Sequence, residues 1–280
     1  MKRCIICEFT DQQETFIEIE DGWVHQECYE DNVELEKKNK PESKFTFDPN
    51  KHLYYLDGKP LTGVTSILAV IAKPALIQWA ANMACDHVRN NHKIDWTNTE
   101  EIEALLTEAA KAHRKKKEKA GEQGTDTHAE IEKYVKGCIE YLGGVAKNGP
   151  PIAPNSSEAL KSFDYWAREN NIKFIESEKR MYSREWWLAG TTDLVFEKDG
   201  QRFVGDVKTM KKIWDRVPYL QMAAYMKMLK ETDPIEYHGT CIINIPKETN
   251  IVETQYSYDF EADTKAFEAA LTLYRALNNG

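Results

Sequence analysis

The amino-acid sequence predicts a mixed α/β fold, in which helices flank a mixed β-sheet, preceded by a small separate module. From residue 45 onward, helix-like segments are followed by a run of strands, a helix and a further strand, an order typical of a mixed α/β core. The 280 residues also provide ample length for a buried core. We therefore expect a main α/β domain at residues 45–280, a module at residues 1–30 and a charged linker at residues 31–44.

The main domain opens with strand signals around the turn pair Asp57-Gly58. Helices are predicted at residues 74–91 and 99–119, and a break at Gly121–Thr127 should end the second of them. A new helix then runs to about Tyr141. The predicted elements that follow are a helix at 157–170, strands at 173–182, 187–197 and 201–209, a helix at 218–230, strands at 237–245 and 253–258, and a helix at 261–277.

The composition indicates a folded protein of the cytoplasm. It is 41% hydrophobic and 30% charged. The longest apolar stretches, such as Val64 to Ala72, are too short to span a bilayer, and the N-terminus does not resemble a secretory signal. We expect no membrane partner, and we expect the six cysteines to be thiols or metal ligands rather than disulfides.

Two chelating pairs lie within the first 30 residues. Cys4 and Cys7 form one pair, and His25 and Cys28 form the other, which is the ligand set and spacing of a closed tetrahedral Zn²⁺ site. All four ligands come from the protein, so the zinc is predicted to be structural. A module this small needs the metal to fold.

The distribution of charge separates this module from the rest of the chain. Residues 1–43 contain twelve acidic and five basic residues, a net charge of −7 out of −9 for the whole chain. An acidic module is poorly suited to bind phosphates. We therefore interpret it as a docking module for a protein partner, and the nearly neutral main domain leaves room for a local basic groove.

A hairpin around the turn pair Asp199-Gly200 predicts a pair of facing carboxylates. A short loop centred there pairs residues whose numbers sum to 399, which puts Asp193 opposite Asp206. Facing like charges need compensation, and a divalent cation such as Mg²⁺ supplies it. Lys208 is two residues beyond Asp206 and therefore lies on the same face of the strand. An exposed hairpin with incidental charges is the alternative for an Asp-x-Lys sequence taken alone.

The chain then resembles the PD-(D/E)XK nuclease superfamily, and within it the RecB-like branch of phage and recombination exonucleases. The resemblance spans about residues 45–260, and four segments in this order carry it. They are Gly124-Thr-Asp-Thr-His128, Gly190-Thr-Thr-Asp193, Gly205-Asp-Val-Lys-Thr209 and Gln221-Met-Ala-Ala-Tyr225. The fold implied is a restriction-endonuclease-like core.

The resemblance also implies roles for single residues. Asp193, Asp206, His128 and the backbone carbonyl of Val207 would bind Mg²⁺ or Mn²⁺, and Lys208 would assist the attacking water. Supporting positions would be Gln221 and Tyr225, which share a helix face, and Glu178; Glu176 lies on the same strand and competes for that position. The position of the basic run Arg114–Lys119 just before His128 indicates phosphate contacts, whereas the run taken alone is more typical of a solvated helix face. No iron–sulfur cluster is expected, because only Cys241 lies beyond Cys138.

The function expected from this resemblance is a Mg²⁺- or Mn²⁺-dependent DNA nuclease in a bacterial or phage-infected cell. It would be an exonuclease of recombination, repair or viral genome processing, acting on single-stranded DNA or DNA ends. Two alternatives remain open. One is a catalytically silent DNA-binding or protein-docking module with a nuclease fold, and the other is a restriction-type endonuclease.

Deleting residues 1–43 is expected to leave DNA affinity unchanged, because this segment carries an excess of negative charge. Titration of labelled DNA with the full-length and truncated chains measures this. A large loss of affinity on truncation contradicts the assignment of the module to protein docking.

Overall fold

The computed structural model describes residues 16–19, 22–25, 44–213 and 216–278. The chain divides into two compact units, one of residues 1–46 with 55–59 and one of residues 47–54 with 60–280. Near the N-terminus, β1 (Phe16–Ile19) and β2 (Gly22–His25) pair as an antiparallel hairpin. Three of the four predicted zinc ligands, Cys4, Cys7 and Cys28, lie outside the described residues, as does the side chain of His25, so the zinc site stays a prediction.

From residue 45 the secondary structure follows the predicted order with two differences: residues 64–68 form a short helix instead of continuing the strand signals, and residues 99–142 form one helix instead of two. The elements are β3 (Phe45–Asp48), β4 (Leu53–Leu56), β5 (Lys59–Gly63), α1 (Val64–Leu68), α2 (Pro74–Asn90), α3 (Thr99–Leu142), α4 (Glu158–Glu169), β6 (Lys173–Ser183), β7 (Leu188–Lys198), β8 (Gln201–Lys208), α5 (Val217–Thr232), β9 (Gly239–Asn244), β10 (Glu253–Ser257) and α6 (Glu261–Asn278).

Within the described residues, the strands from β3 onward form one mixed sheet. Its order is β10-β9-β8-β7-β5-β4-β3, and β6 also pairs with β7. The β7–β8 pair is antiparallel, whereas β8–β9 and β5–β7 are parallel. The predicted mixed sheet flanked by helices is therefore confirmed. No helix in the described ranges has the length and apolar character needed to cross a bilayer.

Apolar side chains cover both faces of this sheet. One core lies between the sheet and helices α3 and α4, and it contains Phe163, Phe174 and Phe196. The other lies against α1, α5 and α6, and it contains Val204 and Ile242. Because successive strand residues point to opposite faces, burial on both sides fixes the register of the central strands.

The predicted hairpin register is confirmed. Val195 pairs with Val204 and Glu197 with Arg202, so the paired numbers sum to 399. The turn residues Asp199 and Gly200 have φ angles of 52° and 77°, the left-handed conformation of a tight hairpin turn. The turn chemistry and the two apolar faces thus specify the same pairing.

The predicted break at Gly121–Thr127 is wrong, because α3 is one continuous helix of 44 residues. Asn98 caps its N-terminus by accepting hydrogen bonds from the backbone N–H groups of Glu100 and Glu101, and Gly143, with a φ of 61°, caps its C-terminus. A glycine within a helix costs only about 1 kcal/mol, which the long flanking segments offset. The Thr125 hydroxyl bonds back to the Gly121 carbonyl instead of capping a new helix.

A Gly121→Ala variant is expected to be more stable by about 0.5–1 kcal/mol, because Gly121 lies inside a helix. A β-carbon there meets no atom within 4 Å. The matched control is Gly143→Ala, which is equally open in space but has the left-handed φ, so it should lose about 1–2 kcal/mol. Urea unfolding followed by circular dichroism measures both, and a destabilised Gly121→Ala variant would show that the helix ends there.

Candidate active site

One cavity of about 320 Å³ brings together the side chains predicted for the main site. Strands β6, β7 and β8 and helices α3 and α5 contribute them. The predicted side chains that line it are His128, Glu178, Asp193, Asp206, Lys208, Gln221 and Tyr225. Residues far apart in the sequence therefore meet in one place.

Three acidic residues lie in a row across three adjacent strands. Continuing the β7–β8 register by one residue places Asp206 opposite Asp193. The β6–β7 pairs on either side of Glu178 place that residue opposite Asp193 as well. Glu178 has a φ of 53°, a conformation that is rare outside glycine and that concentrates at functional sites. The row Glu178–Asp193–Asp206 concentrates negative charge at one point of the sheet.

This geometry also distinguishes the two glutamates of β6. Glu178 lines the cavity, whereas Glu176 forms a 2.7 Å ion pair with Lys179. Burial, reinforced by the charges of Asp193 and Glu132, raises the pKa of Glu178 to about 7. Of the two candidates, Glu178 is therefore the one that belongs to the site.

Asp206 is the most deeply buried of the three acids, with 3% of its surface exposed. Burial raises the pKa of its carboxyl above the ordinary value, although the Lys208 ammonium opposes this effect. Oδ2 forms an ion pair with Lys208, and Oδ1 accepts a 3.3 Å hydrogen bond from Gln221 Nε2. The structure thus compensates a buried carboxylate with one cation and one amide.

Lys208 is held in the cavity by two partners. Its ammonium pairs with Asp206 and donates to Gln221 Oε1 at 3.3 Å. Burial lowers the pKa of Lys208, but the Asp206 carboxylate outweighs this and raises it above the usual value. Lys208 is therefore a charged ammonium in this arrangement.

Gln221 and Tyr225 form the wall of the cavity on α5. Gln221 Nε2 also donates to the Tyr225 hydroxyl at 2.8 Å, and burial raises the pKa of Tyr225 well above its ordinary value, so the phenol stays neutral. The ring packs directly on Gly190, where a β-carbon would lie 2.6 Å from Tyr225 Cε1. The glycine of the Gly190–Asp193 segment is thus required by this close approach.

Asp193 receives contacts from two sides. His128 on α3 places Nδ1 3.5 Å from Asp193 Oδ1, and the backbone N–H of Val207 donates to Oδ2 at 2.5 Å. Hydrogen bonding to Asp193 raises the pKa of His128, and burial opposes it. Helix α3 therefore brings an imidazole against the middle of β7.

The donor types suit a hard divalent cation, because Mg²⁺ and Mn²⁺ prefer carboxylate oxygens. Asp206 Oδ2 has no aligned hydrogen-bond donor among the described residues, although Lys208 contacts it as an ion pair. No group of three or more His, Cys, Asp or Glu side chains in the described part of the chain is arranged as a metal cluster. The types of ligand atom in the cavity therefore suit a divalent cation. The Lys208 ammonium balances the charge of the Asp206 carboxylate.

The cavity contains two aromatic side chains that sequence reasoning missed. His52 and Tyr54 line it, and the Tyr54 hydroxyl lies 2.8 Å from Thr191 Oγ1. Burial raises the pKa of Tyr54. The contact of Tyr54 with β7 joins residues 137 positions apart, and no local pattern in the sequence indicates it.

A Glu178→Gln variant is expected to change how stability depends on pH. The folded-state pKa of about 7 lies above the ordinary 4.5, so the folded state retains a proton that the unfolded state has lost. As the pH rises from 4.5 to 7, the wild type should therefore lose about 1 kcal/mol of stability relative to the variant, after allowing for partial exposure. Urea unfolding in EDTA across this range measures the difference.

The control is Glu176→Gln, which alters a glutamate of the same strand outside the cavity. The difference in stability between this control and the wild type should not change between pH 4.5 and 7. A stability difference between wild type and Glu178→Gln that is constant from pH 4.5 to 8 would contradict the buried position of Glu178.

No protein-family model matches the chain, and no curated protein matches it. Among solved structures, the chain is similar to one titled "Crystal structure of SSO0001", with 12% sequence identity and a TM-score of 0.28 over 41% of this chain. The match covers 57% of that structure's chain.

Proposed function

We propose that this chain is a Mg²⁺- or Mn²⁺-dependent DNA nuclease with a PD-(D/E)XK core, acting as an exonuclease in recombination, repair or viral genome processing. The observation that carries the proposal is the convergence of Asp193, Asp206 and Lys208 in one cavity. Two facing carboxylates with a lysine on the same strand face suit metal-assisted hydrolysis of a phosphodiester.

In this proposal Asp193 and Asp206 would hold the cation, with His128 and the Val207 carbonyl as further ligands. A divalent cation supplies Lewis-acid polarisation of a phosphate oxygen and makes a bound water more acidic. Once ionised above its pKa of about 7, Glu178 adds negative charge next to Asp193 and favours cation binding.

Lys208 acts mainly through its charge. Because Asp206 raises its pKa, it is an ammonium that stabilises the negative charge developing on the phosphate. Gln221 fixes the direction of that ammonium, and Tyr225 fixes Gln221. Attack by water in line with the leaving 3′ oxygen then yields a 5′-phosphate and a 3′-hydroxyl, and a proton from the water passes to the leaving oxygen.

The N-terminal module has a separate role in this proposal. Cys4, Cys7, His25 and Cys28 would hold a structural Zn²⁺, and the acidic residues of segment 1–43 would dock a protein partner. Catalysis and docking are thus assigned to different parts of the chain.

Asp206→Ala and Lys208→Ala are each expected to lower the rate of DNA hydrolysis by about a hundredfold or more. The assay is digestion of end-labelled DNA in Mg²⁺ or Mn²⁺, with EDTA abolishing cutting. Asp126→Ala is the matched control, because Asp126 is an exposed aspartate of α3; it should keep the wild-type rate. Undiminished turnover in Asp206→Ala or Lys208→Ala would overturn the assigned chemistry.

The same assay separates the modes of cutting. Linear single- and double-stranded DNA and closed circles are digested in parallel with wild type and Asp193→Ala. An exonuclease spares the circles, a restriction-type endonuclease cuts them, and a silent binding module cuts none of the substrates.

A further inference from the structure

We propose that one face of helix α3 is a phosphate track, which carries the DNA backbone from the cavity past Lys247 to Lys117 and Arg114. The proposal rests on the nuclease function proposed above and adds where the substrate outside the cavity lies. Of the five basic residues between positions 114 and 119, it assigns DNA binding to two, Arg114 and Lys117.

Helical geometry defines the face. A helix turns about 100° per residue, so positions separated alternately by three and four residues share one side. Counting back from His128, that side contains Gly124, Gly121, Lys117 and Arg114. The imidazole that faces Asp193 and these two cations therefore point in roughly the same direction.

Charge is segregated around this segment. The acidic residues between Arg114 and His128 are Glu118, Glu122 and Asp126. They lie roughly 80–160° away from His128 on the helix, so the face itself has no carboxylate over this length. Phosphates bound on this face would therefore meet no carboxylate of α3 on the same side between Arg114 and His128.

The cations of this face are also unpaired. Lys111 and Lys115 form ion pairs with Glu108 on their own helix. In contrast, no carboxylate in the described ranges lies within ion-pair distance of Arg114 or Lys117. Their charge is available to a ligand.

Gly121 leaves the backbone of the helix open between the cations and the cavity, whereas Gly124 lies against neighbouring side chains. A β-carbon on Gly121 meets nothing within 4 Å. Gly124 lies against Thr209 Oγ1 and Lys247 Nζ, and Lys247 donates to the Ala120 carbonyl. A third cation, from the chain segment after β9, is thus fixed on the same side one turn from His128.

The spacing along the axis sets the length of DNA engaged. At about 1.5 Å per residue, Lys117 lies about 16 Å and Arg114 about 21 Å from His128. Duplex DNA advances about 3.4 Å per base pair, so these cations reach phosphates about five and six base pairs from the cut. The track therefore favours polymeric DNA over mononucleotides and dinucleotides.

The test compares two double variants of the full-length protein. Arg114→Gln/Lys117→Gln removes two charges from the track, and Lys116→Gln/Lys119→Gln removes two from positions roughly 120° and 180° away from His128. Duplex affinity is measured over a range of salt concentrations without divalent cation. The salt slope should fall by about 1.8 for the track variant and stay at the wild-type value for the control.

A second readout locates the contacts. Ethylation of phosphates about five or six base pairs from the cut should weaken binding by wild type and by the control variant, and have no effect on the track variant. Equal slopes for the two double variants, with wild type still cutting DNA, would overturn the track alone. Wild-type protein that neither binds nor cuts DNA would overturn the nuclease function and the track together.

Discussion

The site depends on the compensation of one buried carboxylate. Asp206 lies almost fully inside the protein, beside Asp193 in the row of acids that crosses β6, β7 and β8. A buried charge is strongly unfavourable unless it is paired and hydrogen-bonded. Lys208 supplies the charge and Gln221 the hydrogen bond, and these two groups tie α5 to β8. The positions of Tyr225 and of Gly190 beneath it follow from that link, so removing a single partner affects the whole wall of the cavity.

The two apolar cores make this arrangement possible. Leu194 and Phe196 of β7 point into the core under α3 and α4, while Val204 of β8 points into the core under α5 and α6. A slip of one residue would exchange these faces and expose the apolar side chains. The register is therefore fixed far more strongly than the acidic residues alone could fix it. Their mutual repulsion is offset by packing that lies outside the cavity.

Sequence reasoning succeeded where the determining signal was local. The Asp199-Gly200 turn and strand alternation gave the pairing of β7 with β8, and helical spacing put Gln221 beside Tyr225. It failed where distant contacts or backbone geometry decide. The glycines predicted a break in α3, but the helix is continuous. Long helical segments flank the glycines, and Lys247 donates to the Ala120 carbonyl. The choice between Glu176 and Glu178 depends on a left-handed residue in a strand, and Tyr54 meets Thr191 only in the folded chain.

The continuity of α3 links the two proposals made for the main domain. His128 approaches Asp193 from this helix, and Lys117 and Arg114 follow on the same face of the same rigid element. A break at Gly121 would let the two parts rotate independently, and the cations would then have no fixed relation to the scissile phosphate. An unbroken helix instead fixes both the distance and the direction between them. The sequence predicted a break in α3 where the helix is continuous. This continuity is what would let a single helix both position DNA and contribute His128 to the proposed site of cutting.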